Sequence, residues 1–459
     1  MDQLLKLGLD LARDAGAEFA ELRFTDRNDK TISVKDGALA SHASGSSMGL
    51  SARVLFRGRW GFSSAPSGGK AIIKRVVNAA ISAASAAPNS SHPVRLSACF
   101  PVQGEWSGPC GQDPFAMPDS ELVELLMAAD AAMNIDGISH RFSELNFRRE
   151  QKLYVNSEGT KTLQTTTLSG GGITAWGLTQ GEVQHRSWPC LGGSFSGGGF
   201  EYIRELDLPV NARRVAEEAV ALTKSPPCPK GITDLVLLGS PLAMQIQHTC
   251  GYAAQLGAPA SIDSAKAGSL RIGSPLLSFI ADATLPGGPG SFGYDDEGIK
   301  AQKFNIIRDG KFINFLSGRE QAASIGRFSS GAMRTSSWLL PPAPRMTNII
   351  LQPGATSIKT LISGIESGIL MDSWRNFSVD PNRQGFFAQA EGGWLIEKGE
   401  VKHMVQNPVY TGNSTDFWSS CDAVGSPVDQ QILGLMDQRV IVGHGVVPIR
   451  VRGVKAGAY

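Results

Sequence analysis

The sequence runs to 459 residues with 42% hydrophobic and 19% charged side chains, a balance that excludes wholesale disorder and leaves room for two or three domains. Its 43 basic residues nearly cancel its 42 acidic ones, so the chain as a whole carries no electrostatic footprint for nucleic acid. No uncharged apolar run approaches the ~18 residues of a membrane span, the charged start does not read as a signal peptide, and six scattered cysteines without a Cys-x-x-Cys pair suit a reducing cytoplasm.

Residues 2 to 16 predict an amphipathic helix capped by Asp2 and stopped at Gly16, with Leu4, Leu7, Leu11 and Ala15 near helical spacing. The period then becomes two: Ala20, Leu22 and Phe24 alternate with Glu21, Arg23 and Thr25, and Ile32 and Val34 precede Asp36-Gly37. A hairpin across Arg57-Gly58 follows, then a helix whose stripe is Ile73, Val76, Val77, Ala80 and Ala84. Residues 119 to 133 predict a further helix, with acids in the first turn and Leu122, Leu125, Leu126, Ala129 and Met133 on one face. Strands occupy about 141 to 188, turning at Asn156-Ser157-Glu158-Gly159, and a helix spans about 210 to 223. The run Ser225-Pro226-Pro227-Cys228-Pro229-Lys230-Gly231 resists helix and central strand and marks the boundary between an α+β domain, 1–225, and a β-rich domain, 226–459. In the second domain a short strand at 234 to 238 precedes a helix at 241 to 256, and another helix falls at about 356 to 367.

Two glycine runs, Gly192 to Gly199 and Ser169-Gly170-Gly171-Gly172, read as loops; the first lacks the Lys-Ser/Thr that would make it a phosphate-binding loop. Tyr294-Asp295-Asp296-Glu297-Gly298 could bind a hard cation, position a substrate amine, or form a surface turn. None of the seven histidines forms His-x-x-x-His or His-Glu-x-x-His, and no Gly-x-Ser-x-Gly elbow exists. Cys250, with no cation nearby in sequence, reads as a small buried hydrophobe.

The segment Leu242 to Leu256 resembles the metal-site helix of the TldD/PmbA family of metallopeptidases. The likeness extends to the amino-terminal helix and strands, the 156–159 turn, the linker, Phe292 to Gly298, Pro344 to Asn348, Asn407 to Gly412 and Val442-Gly443-His444-Gly445. Active members carry His-Glu-x-x-x-His, a later acid and a carboxy-terminal cysteine ligand. Aligned on Cys250-Gly251, the two histidines fall on Gln247 and Tyr252, the catalytic glutamate on His248 and the later acid on Gln255, while the stretch Ile432 to Val440 has no cysteine. Catalytic zinc needs about three good N, S or O donors and a base; a Gln carbonyl and a phenol with a pKa near ~10 are poor replacements.

The resemblance implies a two-domain TldD/PmbA-like fold and a non-catalytic subunit that holds no metal, zinc being expected only in an active partner. It implies pairing with a homologous TldD-like subunit, or with a second copy of itself, and a grip on unfolded peptide by added strands, with no direct nucleic-acid or membrane contact. Tyr294, Asp295, Asp296 and Glu297 are the expected substrate-binding residues, and Gln247, His248, Tyr252 and Gln255 the vestigial catalytic positions. Two alternatives stand beside this: a peptidase with rewired ligands using His248 and Tyr252, with the acids at 295 to 297 as further candidates, and a stand-alone peptide-binding protein.

Overall fold

The computed structural model describes residues 1–66, 69–88, 92–259 and 261–458. In chain order its amino-terminal part comprises α1 (Asp2–Asp14), β1 (Phe19–Lys35), β2 (Ala38–Phe56), β3 (Arg59–Pro66), α2 (Lys70–Ala86), β4 (Gln103–Ser107), α3 (Asp119–Met133), β5 (Ile138–Asn156), β6 (Lys161–Thr179), β7 (Glu182–Trp188), β8 (Ser194–Gly197), α4 (Glu201–Leu206) and α5 (Leu208–Thr223). The β1–β2 hairpin turns on Asp36 and Gly37, both at positive φ, the backbone that matches the right-handed twist of paired strands. The strands form one sheet in the order β3-β2-β1-β5-β6-β4, with β7 and β8 also on β6.

Alternation gives this sheet two unlike faces. Leu22, Ile32 and Val34 of β1 and Leu145 and Phe147 of β5 are buried on one face, under α1 and α2 at one end and under α3 and α5 at the other. The opposite face carries Glu21, Arg23, Arg27, Asp29 and Thr31 from β1, and Glu144, Asn146, Arg148, Glu150 and Lys152 from β5, in antiparallel register. That polar face receives the carboxy-terminal part of the chain.

β9 (Gly231–Leu237) and α6 (Gly239–Ile246) open this second part. β9 lies inside a nine-stranded sheet between Ile449–Ala458 and Ser367–Met371. A six-stranded sheet runs through Phe279–Asp282 and Asn348–Leu351 to Val440–Val446 and ends at Gln431–Asp437. The core between them includes Leu242, Ile246, Phe279, Phe312, Tyr410, Trp418 and Val442. The architecture is α+β, with a β-rich carboxy-terminal part. No helix among the described residues is long and apolar enough to cross a membrane.

Three local expectations change. Ser169 to Gly172 is mid-strand in β6: a Cβ on Gly170 would overlap the Phe195 ring, and one on Gly172 would sit 2.6 Å from Gly193 Cα, so these glycines serve close approach. The Gly192–Gly199 run likewise contains β8, paired with β6 at Leu168 to Gly171. The helix expected at 356 to 367 is only Ile358–Ser363, started by the Ser357 side chain accepting from Thr360 N–H (3.1 Å) and followed by Gly364.

Candidate functional site

The helix expected at 241 to 256 does not run through. α6 ends at Ile246 and widens into a π turn over Gln247–Gly251, closed by Tyr252 N–H donating to the Gln247 carbonyl at 3.0 Å. A π turn stacks residue i over i+5, so Gln247 and Tyr252 share a face. The Thr249 hydroxyl donates to the Gln245 carbonyl (2.6 Å), and Gly251 leaves room for the Met346 sulfur, which any Cβ there would overlap.

Of the four positions expected as vestigial, Gln247, His248 and Tyr252 meet around this turn, and Gln255 follows it. The His248 ring stacks on Phe377 (centroids 4.8 Å apart) and meets Tyr252 at 5.5 Å. Arg383 covers the Tyr252 ring with its guanidinium carbon 4.0 Å from the centroid, and its Nη1 lies 3.5 Å from His248 Nδ1 and 3.4 Å from the His248 carbonyl. The Tyr252 hydroxyl donates to Asp437 and accepts from the Gln438 amide (3.3 Å). Burial, and then that bond to Asp437, push the Tyr252 phenol up to about 12. Burial, and then Arg383, bring the His248 imidazole down to about 4. Gln255 is buried, pairs through its backbone with Leu316, and its side-chain nitrogen lacks a partner. Cys250 is buried as expected, its thiol pushed up to about 12 by burial.

This set does not fit a family-type zinc. Gln247 offers a neutral carbonyl oxygen, Tyr252 holds its proton against Asp437, and a fixed guanidinium stands against both Tyr252 and His248. Among the described residues no three His, Cys, Asp or Glu side chains gather as a metal-binding group. Sequence reasoning left three neighbours without a role. Arg383 has no signal in the motif because it comes from a distant turn, held by four backbone N–H groups donating to Asp380. Asp437 belongs to the very stretch searched for a cysteine. His444, fully buried, has both ring nitrogens unpartnered and is driven down to about 3 by burial and then by nearby His248.

The acids at 295 to 297 are not a surface turn; each is at most 4% exposed. Asp295 accepts from the backbone N–H groups of Glu297, Ile299 and Met333. Asp296 takes Lys152 Nζ (3.0 Å) and Thr335 N–H (2.7 Å), and faces Arg23 at 3.7 Å. Burial alone would raise its carboxyl, but Lys152 and Arg23 outweigh that and hold it below the usual carboxylate range. Glu297 accepts from Arg53 (2.6 Å), which also donates to Glu21 (2.7 Å), and from Arg319 N–H (2.8 Å). These contacts fasten the carboxy-terminal part to the polar face of the first sheet.

Tyr294, Asp295 and Asp296 line a small pocket on that face with Lys152, Arg334 and Arg439. It adjoins a cavity of about 410 Å³ beneath Gln247, and Arg148, Leu168 and Ile441 line both. The two share this wall along one cleft on that face; of the candidate residues, Tyr294, Asp295 and Asp296 line the first and Gln247 the second, while Glu297, His248, Tyr252 and Gln255 line neither.

Three domain signatures of one family match this chain: PmbA/TldA metallopeptidase domain 1 at 20–84, the central domain at 112–225 and the C-terminal domain at 242–457. A metalloprotease of Methanothermobacter thermautotrophicus is 29% identical over 96% of this chain and 95% of its own length, and one of Methanocaldococcus jannaschii is 27% identical over 93% and 94%. The crystal structure of TldE from Thermococcus kodakarensis superposes with a TM-score of 0.78 at 18% identity, covering 100% of both chains. A Thermotoga maritima structure described by a link to DNA gyrase reaches a TM-score of 0.82 at 16% identity and 99% coverage of each chain. With all three domain signatures in order and near full-length relatives, the chain belongs to the TldD/PmbA metallopeptidase family.

Proposed function

We propose that this protein is a non-catalytic subunit of the family. It binds unfolded peptide in the cleft and pairs with an active zinc metallopeptidase homologue, or with a second copy of itself, in the proteolytic processing of peptides in the cytoplasm. The observation that carries this is Arg383: its guanidinium lies against Tyr252 and His248, two of the positions that a working site would devote to zinc and its base, and like charge opposes a divalent ion there. The cleft itself survives, walled by the polar face of the first sheet and by Gln247, Met244, Trp374, Leu435 and Met436. Backbone-mediated peptide capture does not depend on the lost ligands.

Zinc per chain, measured by elemental analysis on protein purified without a metal-binding tag, is expected well below one equivalent. Co-expression with a His-Glu-x-x-x-His relative is expected to give a joint peak in size-exclusion chromatography at micromolar concentration; strictly separate elution counts against the pairing. One observation favours a rewired metal site instead: both His444 nitrogens are unpartnered and His248 is near. That reading requires about one zinc per chain, lost on His248→Ala or His444→Ala, together with chelator-sensitive cleavage by the chain alone.

A further inference from the structure

The 410 Å³ cavity holds two polar groups that the fold leaves without a partner and a carboxylate that it leaves without a cation. Gln247 is 5% exposed, and its side-chain oxygen, a pure acceptor, has no hydrogen-bond partner. The indole N–H of Trp374, a pure donor, also has none. An unpaired buried donor or acceptor is a standing penalty that a bound group of opposite kind removes. One acceptor and one donor in the same cavity suit the N–H and C=O of an amide.

The third group is Glu144. The other charged residues of the cavity are matched: Arg148 Nε donates to Asp29 (2.7 Å), and Asp29 also takes Arg27 (2.7 Å). Thr31 and Asn146 bond each other at 2.9 Å. Glu144, half-buried on β5 at the cavity wall, is hydrogen-bonded to the Asn146 side chain but has no cation within ion-pair distance among the described residues. Burial raises its carboxyl above the usual range, only partly offset by Asn146, so a cation brought beside it would favour the charged form. The remaining lining, Leu168, Leu191, Phe195, Met244, Leu435, Met436 and Ile441, is apolar.

Resting on the peptide-binding reading above, we propose that this cavity selects peptide segments bearing a lysine or arginine side chain, whose cationic head pairs with Glu144 while an adjacent amide is held between Gln247 and Trp374 and neighbouring apolar side chains fill the wall. The cation preference is a property of this chain's own cleft and does not need a metal.

Isothermal titration calorimetry on the purified chain tests it with three matched peptides, acetyl-Ala-Leu-X-Leu-Ala-amide with X as lysine, norleucine or glutamate. The lysine peptide is expected to bind at least about tenfold tighter than the norleucine one, the scale of a hydrogen bond to a charged group. Glu144→Gln should bring that ratio to near one while leaving norleucine-peptide affinity unchanged, and Gln247→Leu should weaken both. An undiminished lysine preference in Glu144→Gln, or equal binding of all three peptides to the wild type, overturns the cation selectivity and leaves the peptide-binding role standing. Failure of every peptide to bind overturns both. Glu144→Gln removes a charge that no cation meets and keeps an oxygen acceptor for Asn146, so its thermal midpoint should equal or exceed the wild type's and folding is not in question.

Discussion

The polar face of the first sheet does two different things at its two ends. Toward Glu21 and Lys152, buried charges meet in closed sets: Glu21 with Arg53 and Tyr154, Arg53 with Glu297, Asp296 with Lys152 and the Thr335 N–H, and Arg319 with Glu158. Toward Glu144, the same face opens into a cavity where an amide oxygen and an indole N–H have no partner and a carboxylate has Asn146 but no cation. The first end is the more deeply buried, and its carboxylates are met by cations, although Arg23 Nε and the Thr25 hydroxyl lack partners there; the second end is half-buried and its carboxylate has none. Ion pairs of the first kind fix how two parts of a chain sit together, whereas a half-buried carboxylate without a cation leaves a place for one.

The sharpest way to break this comparison is Arg53→Ala, which strands Glu21 and Glu297 in the interior. A loss of about 3–5 kcal/mol in urea unfolding is expected, as for any buried pair deprived of one partner. Next in size is acid sensitivity. His248 and His444 stay neutral in the fold down to about pH 4 and 3, but the unfolded chain protonates them below about pH 6.5. The unfolded state therefore binds more protons in that window, so stability is full above pH 6.5 and falls as the pH drops, by at most about 1.4 kcal/mol per histidine per pH unit. His444→Leu should flatten that fall in denaturation midpoints measured from pH 7 to 4, and an unchanged slope would show that other groups govern it. Arg383→Ala should cost about 1 kcal/mol through the lost cation–π contact and still leave zinc well below one equivalent, because the donor set remains poor. Glu144→Gln should have the smallest effect, between zero and a slight rise in thermal midpoint; a clear loss would mean that Glu144 is a matched structural group after all.

Much of the fold was legible because it rests on local periodicity. The apolar alternation of β1, the stripe at Ile73 to Ala84 and the acid-first helix at Asp119 each report a face that must be buried. The glycines of β6 were misread because sequence shows the missing side chain but not the Phe195 ring and Gly193 backbone that fill its place. Asp296 and Glu297 were open to a surface-turn reading for the same reason: their partners Lys152, Arg23 and Arg53 lie more than 140 residues away in the chain. At the candidate site, the positions expected to be vestigial could be read along one segment, Gln247 to Gln255. Arg383, Asp437 and Glu144 could not, since only the fold brings a distant turn, a sheet-edge strand and the first sheet to the same place.

The π turn at Gln247–Gly251 has a bearing on how such a chain changes over generations. On an ordinary α-helix, positions 247 and 252 would point about 140° apart; the wide turn lays them one above the other, the register that a His-x-x-x-x-His ligand pair requires. That register is set by Gly251, Thr249 and the packing of Met346 and not by the side chains at 247 and 252, so single-codon changes at those two positions can alter what the site binds without disturbing how the chain folds around it.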